Sequence, residues 1–255
     1  MSAVIDKADI ASYAIRWGDD ALILSHRLAE WCADAPELEE DMALMNLALD
    51  LVGQARTLYT YAGELEGRGR DEDAIAFTRE ERDYKNALLV EQPNEDFAYA
   101  VARQFLYDAF SLPFYQALAS SKDATLAALG EKAAKEVRYH LKHSADWLIR
   151  LGDGTDESHR RMQAAIDELW TYTGELFVND DLDRRLIAAG IGVDLAALKS
   201  AWNDTVSTVL KEATLQRPAD GWMATGGREG RHSEYMGYLL AELQYMQRAY
   251  PNMKW

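Results

Sequence analysis

Cysteine is almost absent: Cys32 is the single one in 255 residues. That excludes an internal disulfide and a thiolate-rich metal site, and the neighbours Glu30 and Asp34 deny Cys32 the electropositive setting a catalytic thiol needs. It reads as a half-buried residue at a helix end. Positive charge is in deficit: 27 Lys and Arg against 43 Asp and Glu give a formal net charge of −16. This excludes a nonspecific hold on nucleic acid and disfavours an anionic membrane surface, since both rest on neutralising phosphates. No apolar run reaches the roughly 20 residues that a bilayer span needs, and residues 1–20 lack the basic start and apolar core of a signal peptide. The chain therefore reads as cytosolic. Proline is scarce too, confined to Pro36, Pro93, Pro113, Pro218 and Pro251. The long proline-free stretch after Pro113 allows uninterrupted helices. Nowhere does a period-two alternation of β-branched residues call for a strand.

What is there is helical, so the fold class is all-α. The spacing predicts a first helix over 6–31 and a second from Pro36 to about 65. A short one follows over 71–85. A third runs from an Asn94 cap through 119, with Pro113 inside it, and a fourth from an Asp123 cap to 151. The Gly152-Asp153-Gly154-Thr155 turn opens a fifth, with Asp156 and Glu157 in its positive first turn, ending near Phe177. Helices at about 181–189 and 194–214, a glycine-rich loop at 225–230 and a last helix over 232–249 complete the chain. The expected organisation is one domain, with a core bundle over about 6–151 and additional helices over about 155–250.

Each long helix carries a carboxylate in apolar surroundings. In the second, Met42 to Leu49 and Leu51-Val52 make the helix apolar nearly all round, which marks a buried helix. Its polar stripe, Asn46, Asp50, Gly53, Gln54 and Thr57, recurs at three- and four-residue steps along one face. Asp20 heads Ala21-Leu22-Ile23-Leu24, Asp108 lies between Phe105-Leu106-Tyr107 and Ala109-Phe110, and Glu136, Tyr139, His140 and His143 share a side of the fourth helix.

Isolated buried carboxylates are costly, so four of them predict a shared polar centre. The bundle design that needs one is the di-iron carboxylate site: a carboxylate from each of two helices, and Glu-x-x-His from each of the other two. Asp20 fills the first place, Asp50-x-x-Gly53 the second, Asp108 the third and Glu136-x-x-Tyr139 the fourth. Every carboxylate is present, three as the shorter Asp, while Gly53 and Tyr139 stand where the histidines belong. Such a set lacks nitrogen donors and falls short of ligand distances of roughly 2.0–2.2 Å. His140, four residues from Glu136, is an alternative ligand. The favoured reading is a degenerate site with no metal and no catalytic residue, its carboxylates held in a network. Lys132 lies one turn before Glu136, Arg103 and Gln104 lie near Asp108, and Asn46 lies one turn before Asp50. The alternative is an active di-iron oxidase or oxygenase using Asp20, Asp50, Asp108, Glu136 and His140.

Other motifs rank lower. Asp153-Gly154-Thr155-x-Glu157 lacks the further ligands of a calcium loop and reads as a helix start. The run Gly226-Gly227-Arg228-Glu229-Gly230-Arg231-His232 has no preceding strand or Lys-Ser/Thr ending, yet its arginines among glycines make a candidate contact for phosphate or a partner. His26, His159 and His232 have no acid or nucleophile at motif spacing and read as surface or internally satisfied histidines.

Several longer runs carry a family resemblance: Ala35-Pro36-Glu37-Leu38-Glu39, Asp50-Leu51-Val52-Gly53-Gln54-Ala55-Arg56, Leu89-Val90-Glu91-Gln92-Pro93-Asn94, Lys135-Glu136-Val137-Arg138-Tyr139-His140 and Gly152-Asp153-Gly154-Thr155. With Thr225-Gly226-Gly227-Arg228 and Ala241-Glu242-Leu243-Gln244-Tyr245, they resemble the C-subunit family of bacterial phenylacetyl-CoA epoxidases over almost the whole chain. The resemblance implies a ferritin-like four-helix bundle with additional C-terminal helices. It also implies a noncatalytic chain that binds no cofactor, supporting a catalytic A subunit that holds the di-iron centre, alongside other complex subunits and a reductase. It further implies that acyl-CoA lies near the surface shared with that A subunit. The matching stretches are Asp83-Tyr84-Lys85-Asn86 and Arg184-Arg185-Leu186, whose cations and amide suit a phosphate-rich ligand.

Overall fold

The computed structural model describes residues 6–251 and 253 and contains helices and turns, with no strand among the described residues. The α-helices are α1 (Lys7–Ala29), α2 (Leu38–Glu66), α3 (Glu72–Phe77), α4 (Phe97–Leu118), α5 (Ala124–Gly152), α6 (Asp156–Leu169), α7 (Asp181–Ala189), α8 (Leu195–Glu212), α9 (Glu234–Leu243) and α10 (Tyr245–Ala249). The class is all-α, and two long helix pairs with shorter C-terminal helices are the content of a ferritin-like bundle protein.

Short polar side chains start these helices by accepting from backbone N–H groups that have no partner in the first turn. Asp6 accepts from Ala8, Asp123 from Leu126, and Thr155 and Asp180 form reciprocal capping boxes with Ser158 and Asp183. Glycines in the left-handed conformation, Gly67 at φ 62° and Gly190 at φ 75°, end α2 and α7.

The chain forms two compact units, dividing at Pro93/Asn94 and Thr225/Gly226. Residues 226 onward thus belong with the N-terminal helices. In the unit of residues 94–225, α4 is the central element, buried at every position from Ala98 to Ser111. Helices α5, α6 and α8 pack on it. Trp202 of α8 donates its Nε1–H to the Leu106 carbonyl at 3.0 Å, and its ring meets Trp170 at 5.4 Å and Phe177 at 5.3 Å. In the other unit α1 packs against α2. Gly18 lets them approach closely, since a Cβ there would lie 2.5 Å from the Tyr59 ring.

Several boundaries differ from the sequence reading, each for a tertiary reason. The third long helix is capped by Asp96, because Asn94 is engaged by Arg103 at 2.6 Å. Pro36 precedes α2 rather than opening it. The helix expected over 71–85 stops at Phe77, and residues beyond it leave the helix to satisfy buried carboxylates described below. The one expected to reach Phe177 ends at Leu169 and continues as two short 3-10 turns. The last helix breaks at Gln244, whose buried amide donates to the Arg79 carbonyl at 3.1 Å. Cys32 is exposed in the turn after α1. Finally, α2 is not buried all round: Asn46 is exposed, and so are several of its apolar residues.

Candidate functional site

Adjacent carboxylates on α1, Asp19 and Asp20, are both fully buried, and the structure supplies each with a cation. Asp20 Oδ2 accepts from Arg228 at 2.7 Å, while Oδ1 accepts from Arg228 at 2.9 Å and from the Ala87 N–H at 2.8 Å. The same guanidinium donates to the Lys85 carbonyl at 2.8 Å and lies 4.4 Å from the Trp17 ring centre. Burial lifts the Asp20 carboxyl above the usual carboxylate range, against the pull of Arg228 and the Ala87 N–H. Asp19 is held by Arg79, by the Tyr59 hydroxyl at 2.6 Å and by the Lys85 N–H at 2.8 Å.

A third buried acid, Glu91, closes this region. Its Oε1 accepts from the Ser233 N–H at 2.6 Å, and its Oε2 meets Asn86 Nδ2 at 2.9 Å and His232 Nδ1 at 2.7 Å. His232 Nε2 in turn lies 3.0 Å from the Tyr84 carbonyl. Burial pushes His232 down, but Glu91 and that carbonyl outweigh it and leave the imidazole above its ordinary value. The glycine-rich loop that suggested phosphate contact therefore turns Arg228 and His232 inward onto buried acids, and Arg231 pairs with Glu229.

In the other unit, Asp108 is buried on α4 without a cation. Its Oδ1 accepts from Gln104 at 2.8 Å and its Oδ2 from Ser144 of α5 at 2.8 Å. Burial raises it well above the usual carboxylate range, only partly opposed by those two bonds. The Gln104 partner anticipated from the sequence is thus present, while Arg103 is turned to Asn94.

The remaining expected positions are less enclosed. Asp50 and Gly53 on α2 are half-buried, as is Glu136, which pairs with Lys132 at 3.4 Å. Tyr139 is 54% exposed, its ring beside His143, whereas His140 is fully buried. Among the described residues, His26, Glu30 and Glu242 gather ligand atoms within 4.8 Å of one another, but Arg27 already grips Glu30 at 2.9 and 3.1 Å.

Of the seven residues expected near acyl-CoA, Tyr84, Asn86 and Leu186 are buried inside the protein. Asp83 caps a short turn by accepting from the Glu80 N–H at 3.1 Å. Lys85 Nζ donates to the Arg82 carbonyl at 2.9 Å, Arg184 pairs with Asp181 at 2.6 Å, and Arg185 donates to the Asp181 carbonyl at 3.2 Å. The two stretches belong to different units.

Sequence reasoning passed over Asp19, Arg79, Glu91 and the inward role of Arg228. A signal existed: two consecutive acids inside an apolar helix need cations from elsewhere, and charged residues between glycines can approach backbone closely.

No helix among the described residues is long and apolar enough to cross a membrane. A family model described as phenylacetic acid catabolic protein matches residues 2–255, and the chain belongs to that family. Within it, the chain is similar to the C subunit of the 1,2-phenylacetyl-CoA epoxidase of Escherichia coli strain K12. The two are 50% identical over 246 residues, which covers 96% of this chain and 99% of the relative.

Proposed function

We propose that this chain is the noncatalytic, structural subunit of a cytosolic multicomponent phenylacetyl-CoA 1,2-epoxidase, supporting a catalytic A subunit that carries the di-iron centre in aerobic phenylacetate breakdown. The observation that carries the reading is the Asp20–Arg228 pair. At the first position of the di-iron template, both carboxylate oxygens already face a guanidinium, so the positive charge that a metal would bring is supplied by the protein itself. Three further template positions argue against a di-iron centre. Asp108 is held by neutral donors and kept toward its protonated form, Gly53 offers no ligand, and Tyr139 is exposed. The chain holds its buried carboxylates Asp19, Asp20, Glu91 and Asp108 with donors from its own residues rather than with a metal. For acyl-CoA bound by the assembled complex, Lys85, Arg184 and Arg185 are the cations of the expected stretches, with Arg184 already paired to Asp181.

Two measurements test this. The chain purified alone is expected to hold no stoichiometric iron by elemental analysis after aerobic reconstitution, and to support epoxidation of phenylacetyl-CoA when combined with the A subunit and reductase. Two irons per chain with turnover in the absence of the A subunit would make it an oxygenase in its own right. Full turnover by the A subunit and reductase without this chain would refute the supporting role.

A further inference from the structure

One face of α2 is apolar, open and regularly spaced. Leu38, Met42, Met45, Leu49 and Val52 follow one another at steps of four, three, four and three residues, the spacing by which one helix presents a seam to another. Yet Leu38 is 71% exposed, Met42 59%, Leu49 67% and Val52 43%. A stripe of this kind on a surface marks an interaction site rather than chance exposure, because scattered apolar residues do not keep a 3.5-residue period.

Gly53 supplies an independent observation. Glycine inside a helix is destabilising relative to alanine, so it needs a reason. For other helix-interior glycines the reason lies within the chain: a Cβ at Gly18 would lie 2.5 Å from Tyr59, at Gly63 2.3 Å from the Arg70 carbonyl oxygen, and at Gly130 2.5 Å from the Ala119 nitrogen. At Gly53 a Cβ would meet nothing within 4 Å. The residue borders the open face, four positions after Leu49 and beside Val52, on the polar stripe, where an approaching backbone gains most from a missing side chain. Val52 also lines a cleft of about 340 Å³, in which Leu22, Ala55 and Phe77 stand with the charged Arg56, Glu72 and Asp73, and which can accept a side chain from the same visitor.

Charge identifies the visitor. Between Glu37 and Thr57 stand Glu37, Glu39, Glu40, Asp41 and Asp50 against the single cation Arg56, which is paired with Glu72 at 3.2 Å. A second copy of this chain laid on the face would bring acids against acids, and that arrangement is disfavoured. We infer that the Leu38–Val52 face of α2 docks an amphipathic helix of a different subunit, whose apolar stripe is flanked by lysine and arginine and whose backbone crosses at Gly53. This deepens the reading of the chain as a supporting subunit and rests on it.

The test compares the full-length parent with Gly53→Leu and Leu49→Glu in complexes reconstituted with the other epoxidase subunits. Gly53→Leu fills open space and improves helix propensity, so the free chain should melt no lower than the parent, yet its complex should be roughly tenfold weaker or worse. Leu49→Glu should weaken the complex similarly, because it places a carboxylate in the apolar seam, and high salt should not restore the loss, since its cause is desolvation rather than repulsion. Tyr238→Glu, also on an exposed residue, is the control and should leave affinity unchanged. Parent-like affinity of both α2 variants would overturn the inference while leaving the function intact. A free-chain homodimer that these variants dissociate would assign the face to a second copy and overturn it as well. Failure of the parent itself to bind any other subunit would instead refute the function on which the inference rests.

Discussion

Replacing Arg228 by Met tests whether Asp20 is held by a protein cation. The variant keeps much of the aliphatic stem but removes both guanidinium bonds to Asp20, the bond to the Lys85 carbonyl and the contact with Trp17. The carboxylate stays fully buried. Breaking one side of such a pair costs about 3–5 kcal/mol, because the partner charge is left in the interior. For a chain of this length about 2 °C is lost per kcal/mol, so the melting temperature should fall by roughly 6–10 °C. The sign with pH is also determined. Asp20 already titrates above its ordinary value, and without the lowering pull of Arg228 it rises further. A carboxyl raised in the folded state favours folding below its unfolded pKa, and that advantage is lost as pH rises through the folded value. The deficit of Arg228→Met should therefore deepen with rising pH, by at most about 1.4 kcal/mol per unit. Adding Asp20→Asn keeps an acceptor for the Ala87 N–H and removes the stranded charge, so the double variant should recover most of the loss. Thermal melts and urea titrations at several pH values read both effects. A single variant that melts within about 1 °C of the parent would refute the reasoning. So would a double variant no better than the single.

Asp108→Asn should be tolerated, because the amide reproduces the neutral carboxyl: its oxygen accepts from Gln104 and its nitrogen donates to Ser144. Since burial raises Asp108 well above the usual range, the parent loses stability as pH rises from the unfolded carboxylate value, and the substitution should flatten that slope by up to about 1.4 kcal/mol per unit in urea titrations. His232→Gln should destabilise most below about pH 6.5, because the raised imidazole contributes its Glu91 bond in full there and loses it as pH climbs through the folded value; melts from pH 5 to 8 would show the gap narrowing. Lys85→Glu combined with Arg184→Glu should weaken phenylacetyl-CoA binding by the assembled complex at low salt without preventing assembly, since reversing cations near a polyanion is felt before screening removes it. Calorimetry showing unchanged affinity would remove both residues from the ligand's surroundings.

Local chemistry determined much of this protein by itself. Capping residues such as Asp123, Thr155 and Asp180, the glycines that end helices, and the lack of proline and of strand periodicity specify the helices, because these effects act within a turn or two of chain. The costly buried carboxylates at Asp20 and Asp108 were legible for the same reason: an acid inside an apolar helix face announces itself, and the i−4 partner Gln104 is a local relation. Only the tertiary structure decided who compensates Asp20. Arg228 is 208 positions away, and nothing in helical spacing links them. The return of residues 226 onward to the N-terminal unit brings that guanidinium in and pairs His232 with Glu91, while the helix expected over 71–85 stops at Phe77 and the Lys85 and Ala87 N–H groups serve Asp19 and Asp20. Tertiary structure also decided which side of α2 is buried. Its sequence is apolar nearly all round, so periodicity cannot distinguish a face packed by the chain's own core from the Leu38–Val52 face left open; only the neighbours that pack against a helix make that distinction.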